Sequence, residues 1–169
     1  MRIMKQFLFA LFTLVFTGVL YAQSSRVVTD ILNSKSVTFG QVCYLSAVNQ
    51  GFVNDNASFG ECINVLFEND QLPIVVNEMT PVVMVDLAFL YAKIWHVKGG
   101  LMYRITNGSP RYAFKQLKSD GVIAKNSDPS DFVSGAEALN ILTTCMFTYG
   151  GMTLDNISDA DTVDTMGGI

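Results

Sequence analysis

The sequence predicts an all-α fold of about five helices, and three observations lead to this prediction. Apolar residues recur at the spacing of one helix face in several stretches, for example at Phe59, Cys62, Ile63, Leu66 and Phe67. Capping patterns precede each of these stretches, and glycines follow most of them. Half of the 169 residues are hydrophobic, which is enough for one buried core, so we expect a single domain.

Five helix starts are predicted from short local patterns. Three are capping boxes, in which a hydroxyl accepts from the amide three residues on while a Gln or Glu side chain reaches back. These boxes are Thr38 with Gln41, Ser58 with Glu61, and Ser134 with Glu137. Two further starts, Thr80-Pro81 and Ser109-Pro110, place a hydroxyl before a proline at the first helical position.

Glycine marks most of the expected helix ends. Gly51 and Gly121 suit the left-handed position just after a helix, and an apolar residue follows each of them. The pairs Gly99-Gly100 and Gly150-Gly151 are expected to stop two more helices.

Two stretches share one order of features. Residues 45–66, "LSAVNQGFVNDNASFGECINVL", and residues 114–142, "FKQLKSDGVIAKNSDPSDFVSGAEALNIL", both contain a helix, a glycine, two apolar residues, a polar loop and Ser-x-x-Glu before a second helix. We therefore predict two related helix-loop-helix hairpins, over about 38–68 and 109–147, with a central helix at 80–98 between them.

The first 22 residues have the layout of a secretory signal peptide. Arg2 and Lys5 precede an apolar run from Phe7 to Leu20, and cleavage is expected after Ala22. A membrane anchor is the alternative, but the run is shorter than the roughly 20 residues of a spanning helix. We expect an extracytoplasmic protein, in the periplasm or cell envelope, that is not an integral membrane protein.

The rest of the chain is expected to fall into three parts. Residues 23–37 form an N-terminal linker, residues 38–149 the helical domain, and residues 150–169 an acidic flexible tail with four aspartates and no basic residue.

Charge is segregated along the mature chain. Without the signal peptide 9 basic and 15 acidic residues remain, and seven of the nine cations lie between residues 93 and 125, where Asp120 is the only acid. Guanidinium groups beside aromatic rings suit an anionic sugar, a phosphate or a partner's carboxylate. The candidate binding residues are Lys98, Tyr103, Arg104, Arg111, Tyr112 and Lys115. The alternative is an ordinary solvated face, and nucleic acid is not an expected partner of an acidic secreted protein.

The loop "NSDPSDFVSGAE", residues 126–137, has the approximate spacing of a calcium loop. Asn126, Asp128, Ser130 and Glu137 are the alternative metal ligands. Asp131 stands where such a loop needs glycine, and a capping box already accounts for Glu137. We therefore expect a helix junction, with no metal and no cofactor.

The nucleophile and base inventory is short. Cys43 and Cys62 lie in neighbouring expected helices, so an oxidising compartment allows a disulfide between them. The alternative is three buried thiols, with Cys145 the third. His96 is the only histidine, and no local signature pairs it with Cys145 as base and nucleophile. We expect a protein that is not an enzyme.

Residues 114–142 are similar to the S-layer homology module, in which a helix ends in a Gly-Ile/Val-Ile step and Thr/Ser-Arg-Ala-Glu opens a second helix. Residues 38–66 match it more loosely. The resemblance implies attachment to cell-wall polysaccharide, in part through the arginine of that step. Gly135 stands in the arginine's place here, and Phe59 or Gly60 in the first unit. Residues 99–117, "GGLMYRITNGSPRYAFKQL", resemble uncharacterised secreted envelope proteins of spirochaetes.

These observations predict a non-catalytic envelope protein that binds or scaffolds through its basic and aromatic face, with envelope polysaccharide as the expected partner. The alternative is a structural subunit that binds another envelope protein in an extracytoplasmic assembly. An enzyme of unknown class is the third and weakest reading.

Overall fold

The computed structural model describes residues 26–72 and 76–150, and the described chain is helical with two isolated β-bridges. This confirms the predicted all-α class. The signal peptide expected at 1–22 and all but the first residue of the acidic tail expected at 150–169 lie outside the described residues. The helices are α1 (26–32, the described part), α2 (Phe39–Asn49), α3 (Phe59–Glu68), α4 (Met84–Ile94), α5 (Leu101–Ile105), α6 (Pro110–Ser119) and α7 (Gly135–Tyr149).

The helix count differs from the expected five, because the described residues contain seven. One addition is α1, in the segment expected to be a linker, where Ile31 is fully buried in the core. The other is α5, whose five residues are too few to form a periodic apolar stripe. Both lack the capping signals from which the other helices were predicted.

The predicted start of α4 at Thr80-Pro81 is wrong. The helix begins at Met84, and its N-cap residue Val83 makes no side-chain capping bond. Thr80 and Pro81 lie instead in extended backbone, where Pro81 bridges to Thr38 and the Thr80 carbonyl accepts from the Phe39 amide at 2.9 Å. A hydroxyl before a proline imitated a helix start, because the local pattern carries no information about this pairing.

Three valines from distant parts of the chain form a closed ring of backbone hydrogen bonds, which we call the valine ring. The Val37 amide donates to the Val133 carbonyl (2.8 Å), the Val133 amide to Val82 (3.2 Å), and the Val82 amide to Val37 (2.9 Å). All three side chains are fully buried. Each valine directly precedes the N-cap residue of a helix, so the ring joins the starts of α2, α4 and α7.

A second set of bonds extends each side of the valine ring into a short antiparallel ladder. The amides of Phe39, Met84 and Gly135 donate to the carbonyls of Thr80, Asp131 and Ser34, each at 2.9 Å. The three helix starts are therefore equivalent in their backbone bonding.

The valine ring relates the helix starts in a way that the two predicted hairpins did not include. The N-cap residues Thr38, Val83 and Ser134 each directly follow a valine of the ring. No valine of the ring directly precedes Ser58. The chain thus has three helix-loop-helix units, α1–α2, α3–α4 and α6–α7, with α5 inserted after the second. The first predicted hairpin is present as a packed pair, since α2 packs mainly against α3, whereas α6 packs mainly against α4 and not against α7. The α3–α4 unit escaped the sequence comparison because Val83, the N-cap of α4, has no capping hydroxyl.

Five helices end in the same Schellman geometry. The amide two residues beyond the C-cap bonds back to a carbonyl in the last turn, as for Phe52 to Ala47 and Val122 to Leu117. Gly51 and Gly121 occupy the left-handed position at φ 70° and 78°, as predicted. In the other three helices Asp70, His96 and Asn107 take that position at positive φ.

The predicted stop of α4 at Gly99-Gly100 is therefore wrong. The helix ends at Ile94, and the left-handed residue after its C-cap is His96. The amide of Val97 bonds back to Ala92 at 3.0 Å, and the Val97 side chain is buried. This apolar anchor holds a non-glycine residue in a conformation that glycine adopts more readily.

Tyr91 lies at the centre of the core. It is fully buried, and its hydroxyl donates to the Ala138 carbonyl of α7 at 3.3 Å, which joins α4 to α7. Burial raises the pKa of Tyr91 well above its ordinary value. Within the described part of the chain, no helix has both the length and the apolar character needed to cross a lipid bilayer.

Gly135 is required by the close approach of α1. A Cβ added there would lie 1.6 Å from the Ile31 carbonyl oxygen, which is backbone and cannot swing away. We expect Gly135→Ala to destabilise the protein by about 3 kcal/mol or more in urea unfolding, because α1 or the valine ring must shift. Gly60→Ala is the matched control, since its Cβ would meet nothing closer than 3.7 Å. It should be neutral or stabilising by about 0.5 kcal/mol, and equal losses in both variants would contradict this account.

The capping serines should differ in their contribution to stability. The Ser134 hydroxyl accepts from the Glu137 amide at 3.3 Å, and Ser58 caps α3 in the same way at 3.2 Å. Ser109 also precedes a helix but makes no side-chain capping bond. We expect Ser134→Ala and Ser58→Ala to cost about 1 kcal/mol each in urea unfolding, and Ser109→Ala only a few tenths. A cost at Ser109 as large as that at Ser134 would show that these losses do not come from capping.

Candidate functional site

The predicted binding residues are divided between two pockets. Lys98, Tyr103 and Arg104 line an open pocket of about 670 Å³, which we call the basic pocket. Its other lining residues are Lys93, Val97, Gly99, Asn107 and Gly108. Arg111 and Lys115 line a second hollow with a mainly apolar wall, formed by Val85, Phe114, Lys118 and Pro129. Tyr112 lies beside this second hollow, with its ring 5.4 Å from the Lys115 ammonium.

The basic pocket is built by two left-handed turns. His96 reverses the chain after α4, and Asn107 and Gly108 reverse it again after α5. The segment between these turns therefore folds back as a short helix beside α6. Residues that are close in sequence thus meet around one pocket, whereas Arg111 and Lys115 lie further along, on α6.

Tyr103 forms one wall of the basic pocket and rests on two glycines. A Cβ added to Gly99 would lie 2.4 Å from Tyr103 Cγ, and one added to Gly108 would lie 2.9 Å from the tyrosine hydroxyl. Gly99 therefore makes room for the ring and does not serve as a helix stop. The ring is half-buried, and this desolvation raises the pKa of Tyr103, so the phenol stays neutral at ordinary pH.

The cations of the basic pocket are not neutralised within the described residues. Lys93, Lys98 and Arg104 form no ion pair there, and no acidic residue is among the pocket's lining residues. The Lys93 ammonium lies over the face of Phe89, 5.5 Å from the ring centre. Three unpaired cations around one concave surface attract an anionic group by long-range electrostatics.

The single acid of this segment is used in a hydrogen-bonded chain. Asp120 accepts from Gln116 Nε2 at 2.9 Å and from the Tyr149 hydroxyl at 2.6 Å. The side-chain Oε1 of Gln116 accepts from the backbone amide of Gly100 at 2.9 Å. This chain ties the start of α5 to α6 and to the end of α7. Burial and the bond to Asp120 raise the pKa of Tyr149, so the phenol keeps the proton that it donates.

Two features of the site were not predicted. The hydrogen-bonded chain was missed because only the i, i+4 spacing of Gln116 and Asp120 is visible in the sequence. The apolar side chains of α5 were also missed: Leu101, Met102 and Ile105 are 71%, 56% and 68% exposed. A run of five residues carries no periodicity from which the facing of its side chains could be predicted.

The loop at residues 126–137 is a helix junction in the structure. Asp128 accepts from the backbone amide of Ser130 at 2.8 Å and from the Ser130 hydroxyl, and these bonds lower the pKa of its carboxyl group. The Glu137 amide is capped by Ser134, and Asn126 is exposed. Among the described residues, no group of three or more His, Cys, Asp or Glu side chains is placed to hold a metal ion. The Asp128 and Ser130 oxygens thus serve a turn, and Glu137 takes part in the helix cap through its backbone amide.

The nucleophile and base considered for catalysis differ in their environments. Cys145 is fully buried, and burial raises the pKa of its thiol to about 12. His96 is exposed in the turn after α4. A buried thiol with a raised pKa is a poor nucleophile, because the thiolate is the reactive form.

Cys43 and Cys62 are close neighbours across the α2–α3 contact. All three cysteines are free and buried in the structure. Burial and the proximity of Cys62 raise the pKa of Cys43 to about 12, and burial raises that of Cys62 to about 11. A disulfide between Cys43 and Cys62 stays the alternative to three free thiols.

The buried thiols should not react with a thiol reagent at pH 8 while the protein is folded, because burial keeps them protonated. After unfolding without reductant, we expect three reactive thiols per chain. The measurement is a colorimetric thiol titration of protein taken from an oxidising compartment. A count of one thiol, rising to three after reduction, would instead establish a bridge between Cys43 and Cys62 and leave Cys145 free.

The chain has no significant match among protein-family models, among curated proteins or among solved structures. The resemblance of residues 114–142 to the S-layer homology module therefore depends on those residues alone. The cations that line the basic pocket are the feature of the chain that bears most directly on function.

Proposed function

We propose that the protein is a non-catalytic, extracytoplasmic envelope protein that binds an anionic partner through the basic pocket. Envelope polysaccharide is the partner that we favour. The signal-like residues 1–22 support the compartment, and the resemblance of residues 114–142 to a wall-binding module supports the polysaccharide. The proposal needs no metal and no cofactor.

One observation carries this proposal. Lys93, Lys98 and Arg104 surround a single concave surface, and none of them is paired with an acid among the described residues. A protein whose only need was solubility could disperse these charges or pair them. Tyr103 adds an aromatic edge of the kind that packs against sugar rings, and the arginine fork suits a carboxylate or phosphate group on the sugar.

The arginine contact implied by the module resemblance is not available here. Gly135 stands in its place, and the Ile31 carbonyl leaves no room for any side chain there. The basic pocket lies at the other end of α7, near Tyr149 and Gly150. Polysaccharide binding by this chain would therefore use a different surface from the one that the resemblance implies.

The second candidate function is a structural subunit of an extracytoplasmic assembly. The exposed apolar side chains of Leu101, Met102 and Ile105 favour it, because a protein partner could bury them while its acids meet Arg104 and Lys98. The two functions are distinguished by the partner: purified cell-wall sacculi in one case, and a defined protein recovered after crosslinking in the other.

Charge reversal tests the proposal and separates the two pockets. We expect Arg104→Glu to reduce retention on purified sacculi by at least about tenfold in a sedimentation assay, since one favourable contact becomes repulsive. Arg111→Glu should have a smaller effect, because Arg111 lines the second hollow. Wild-type binding should weaken as salt rises, because exposed charges are screened beyond about 10 Å at 0.1 M.

The matched control is Lys35→Glu. Lys35 is exposed next to the valine ring, at the opposite end of α7 from the basic pocket. The Lys35→Glu substitution changes the net charge by the same amount as Arg104→Glu and should leave retention on sacculi unchanged. All three variants should keep the wild-type circular dichroism and melting temperature, because exposed unpaired cations contribute little to stability. Normal retention of Arg104→Glu would show that the basic pocket is only solvated surface.

A further inference from the structure

The α5 helix presents an apolar surface that nothing in the described chain covers. Leu101, Met102 and Ile105 are each more than half exposed, and the helix has no buried residue. A contiguous apolar patch of this kind usually marks a contact site. Lys98 and Arg104 lie beside it, so the surface combines apolar contact with positive charge. An occupant that fits it needs apolar and acidic side chains together.

Residues 151–169 have this composition. The segment "GMTLDNISDADTVDTMGGI" contains four aspartates, no lysine and no arginine. Apolar side chains are interspersed with the acids at Met152, Leu154 and Ile157. Its charge is therefore complementary to the seven cations of residues 93–125, where Asp120 is already hydrogen-bonded to Gln116 and Tyr149.

The described chain ends beside this surface. Gly150 packs on Trp95, since a Cβ on Gly150 would lie 2.9 Å from Trp95 Cζ3. Tyr149 is joined through Asp120 and Gln116 to the Gly100 amide, which is the N-cap of α5. An extended chain advances about 3.3 Å per residue, so roughly six residues span about 20 Å. Residues 151–169 can thus reach the whole length of α5 from where they begin.

We propose that residues 151–169 dock on α5 and the basic pocket, with their aspartates on Lys98 and Arg104 and their apolar side chains on Leu101, Met102 and Ile105. The segment then competes with an external anionic partner for the same cations. This regulation rests on the proposed function of the basic pocket, whereas the docking itself does not. The bound partner would displace the segment, so the affinity measured for the partner includes the free energy of releasing it.

The docking is tested in the full chain, with no ligand added. The variant Asp155→Asn, Asp159→Asn, Asp161→Asn, Asp164→Asn keeps the shape of each side chain and removes its charge. At 0.01 M salt, where screening is weakest, we expect its α5 amides to exchange hydrogen about tenfold faster than in the wild type. Fluorescence of Trp95, the only tryptophan of the chain, should shift to the red, because its ring packs on Gly150, where the segment begins. The reciprocal variant Lys98→Glu, Arg104→Glu should give the same two changes.

The matched control replaces the same four aspartates with glutamate. It keeps the charge, so its α5 exchange and its Trp95 emission should match those of the wild type. Identical exchange in the wild type and the asparagine variant would overturn the proposal. Protection of α5 that disappears on dilution would also overturn it, because a second copy of the chain would then be the occupant. So would protection that appears only with phosphatidylglycerol vesicles, because a membrane surface would then be the occupant.

Binding to sacculi is measured separately, so that the two proposals can fail independently. The asparagine variant should bind sacculi about tenfold more tightly than the wild type, because its internal competitor is weakened. If no variant binds sacculi, polysaccharide binding fails while the exchange data still decide the docking. If the asparagine variant binds sacculi but no better than the wild type, competition by the segment is excluded.

Discussion

The valine ring is the constraint on which the rest of the structure depends. Its three hydrogen bonds are made by backbone groups of Val37, Val82 and Val133, whose side chains are fully buried. A buried amide or carbonyl left unpaired costs about 1–3 kcal/mol, so the three bonds form together or leave unsatisfied groups in the core. Because each valine precedes a helix N-cap, the ring fixes where α2, α4 and α7 begin relative to one another.

The ring fixes helix starts but leaves helix ends free to vary. At the far ends the chain turns through left-handed residues, and α5 is inserted there between the second and third units. The basic pocket, the exposed apolar residues and the hydrogen-bonded chain from Gly100 to Tyr149 all lie at this end. Residues of α5 can therefore change without disturbing the bonds that hold the units together. Gly135 shows the opposite situation at the ring, where one added carbon would meet backbone.

Local signals in the sequence were sufficient for the fold class and for many helix boundaries. The caps at Thr38, Ser58 and Ser134 and the left-handed Gly51 and Gly121 were predicted because each depends only on its neighbours in the chain. The three-unit arrangement was not, because the valine ring joins residues far apart in sequence and Val83 lacks a capping hydroxyl. The end of α4 at His96 was missed for a similar reason, since a buried Val97 replaces the glycine signal.

In the candidate site too, the sequence predicted what depends on neighbouring residues and missed what depends on tertiary packing. Lys98, Tyr103 and Arg104 were predicted together and do line one pocket, because two turns fold a short segment back on itself. Arg111 and Lys115 were grouped with them by sequence proximity, yet the geometry of α6 places them at another hollow. The partners of Asp120 come from two separate helices, so only the tertiary structure could show that this acid does not neutralise the nearby cations.

The closed form of the valine ring also determines when the protein can acquire its structure. Val133 belongs to the last of the three units, so a nascent chain cannot complete the ring until nearly all of the described residues have been synthesised. Closing such long loops is entropically costly and slows folding compared with purely local helical contacts. Until then the α1–α2 and α3–α4 segments have no third partner to bury their valines. The chain therefore reaches its compact form only once the segment that carries Val133 is available to pair with Val37 and Val82.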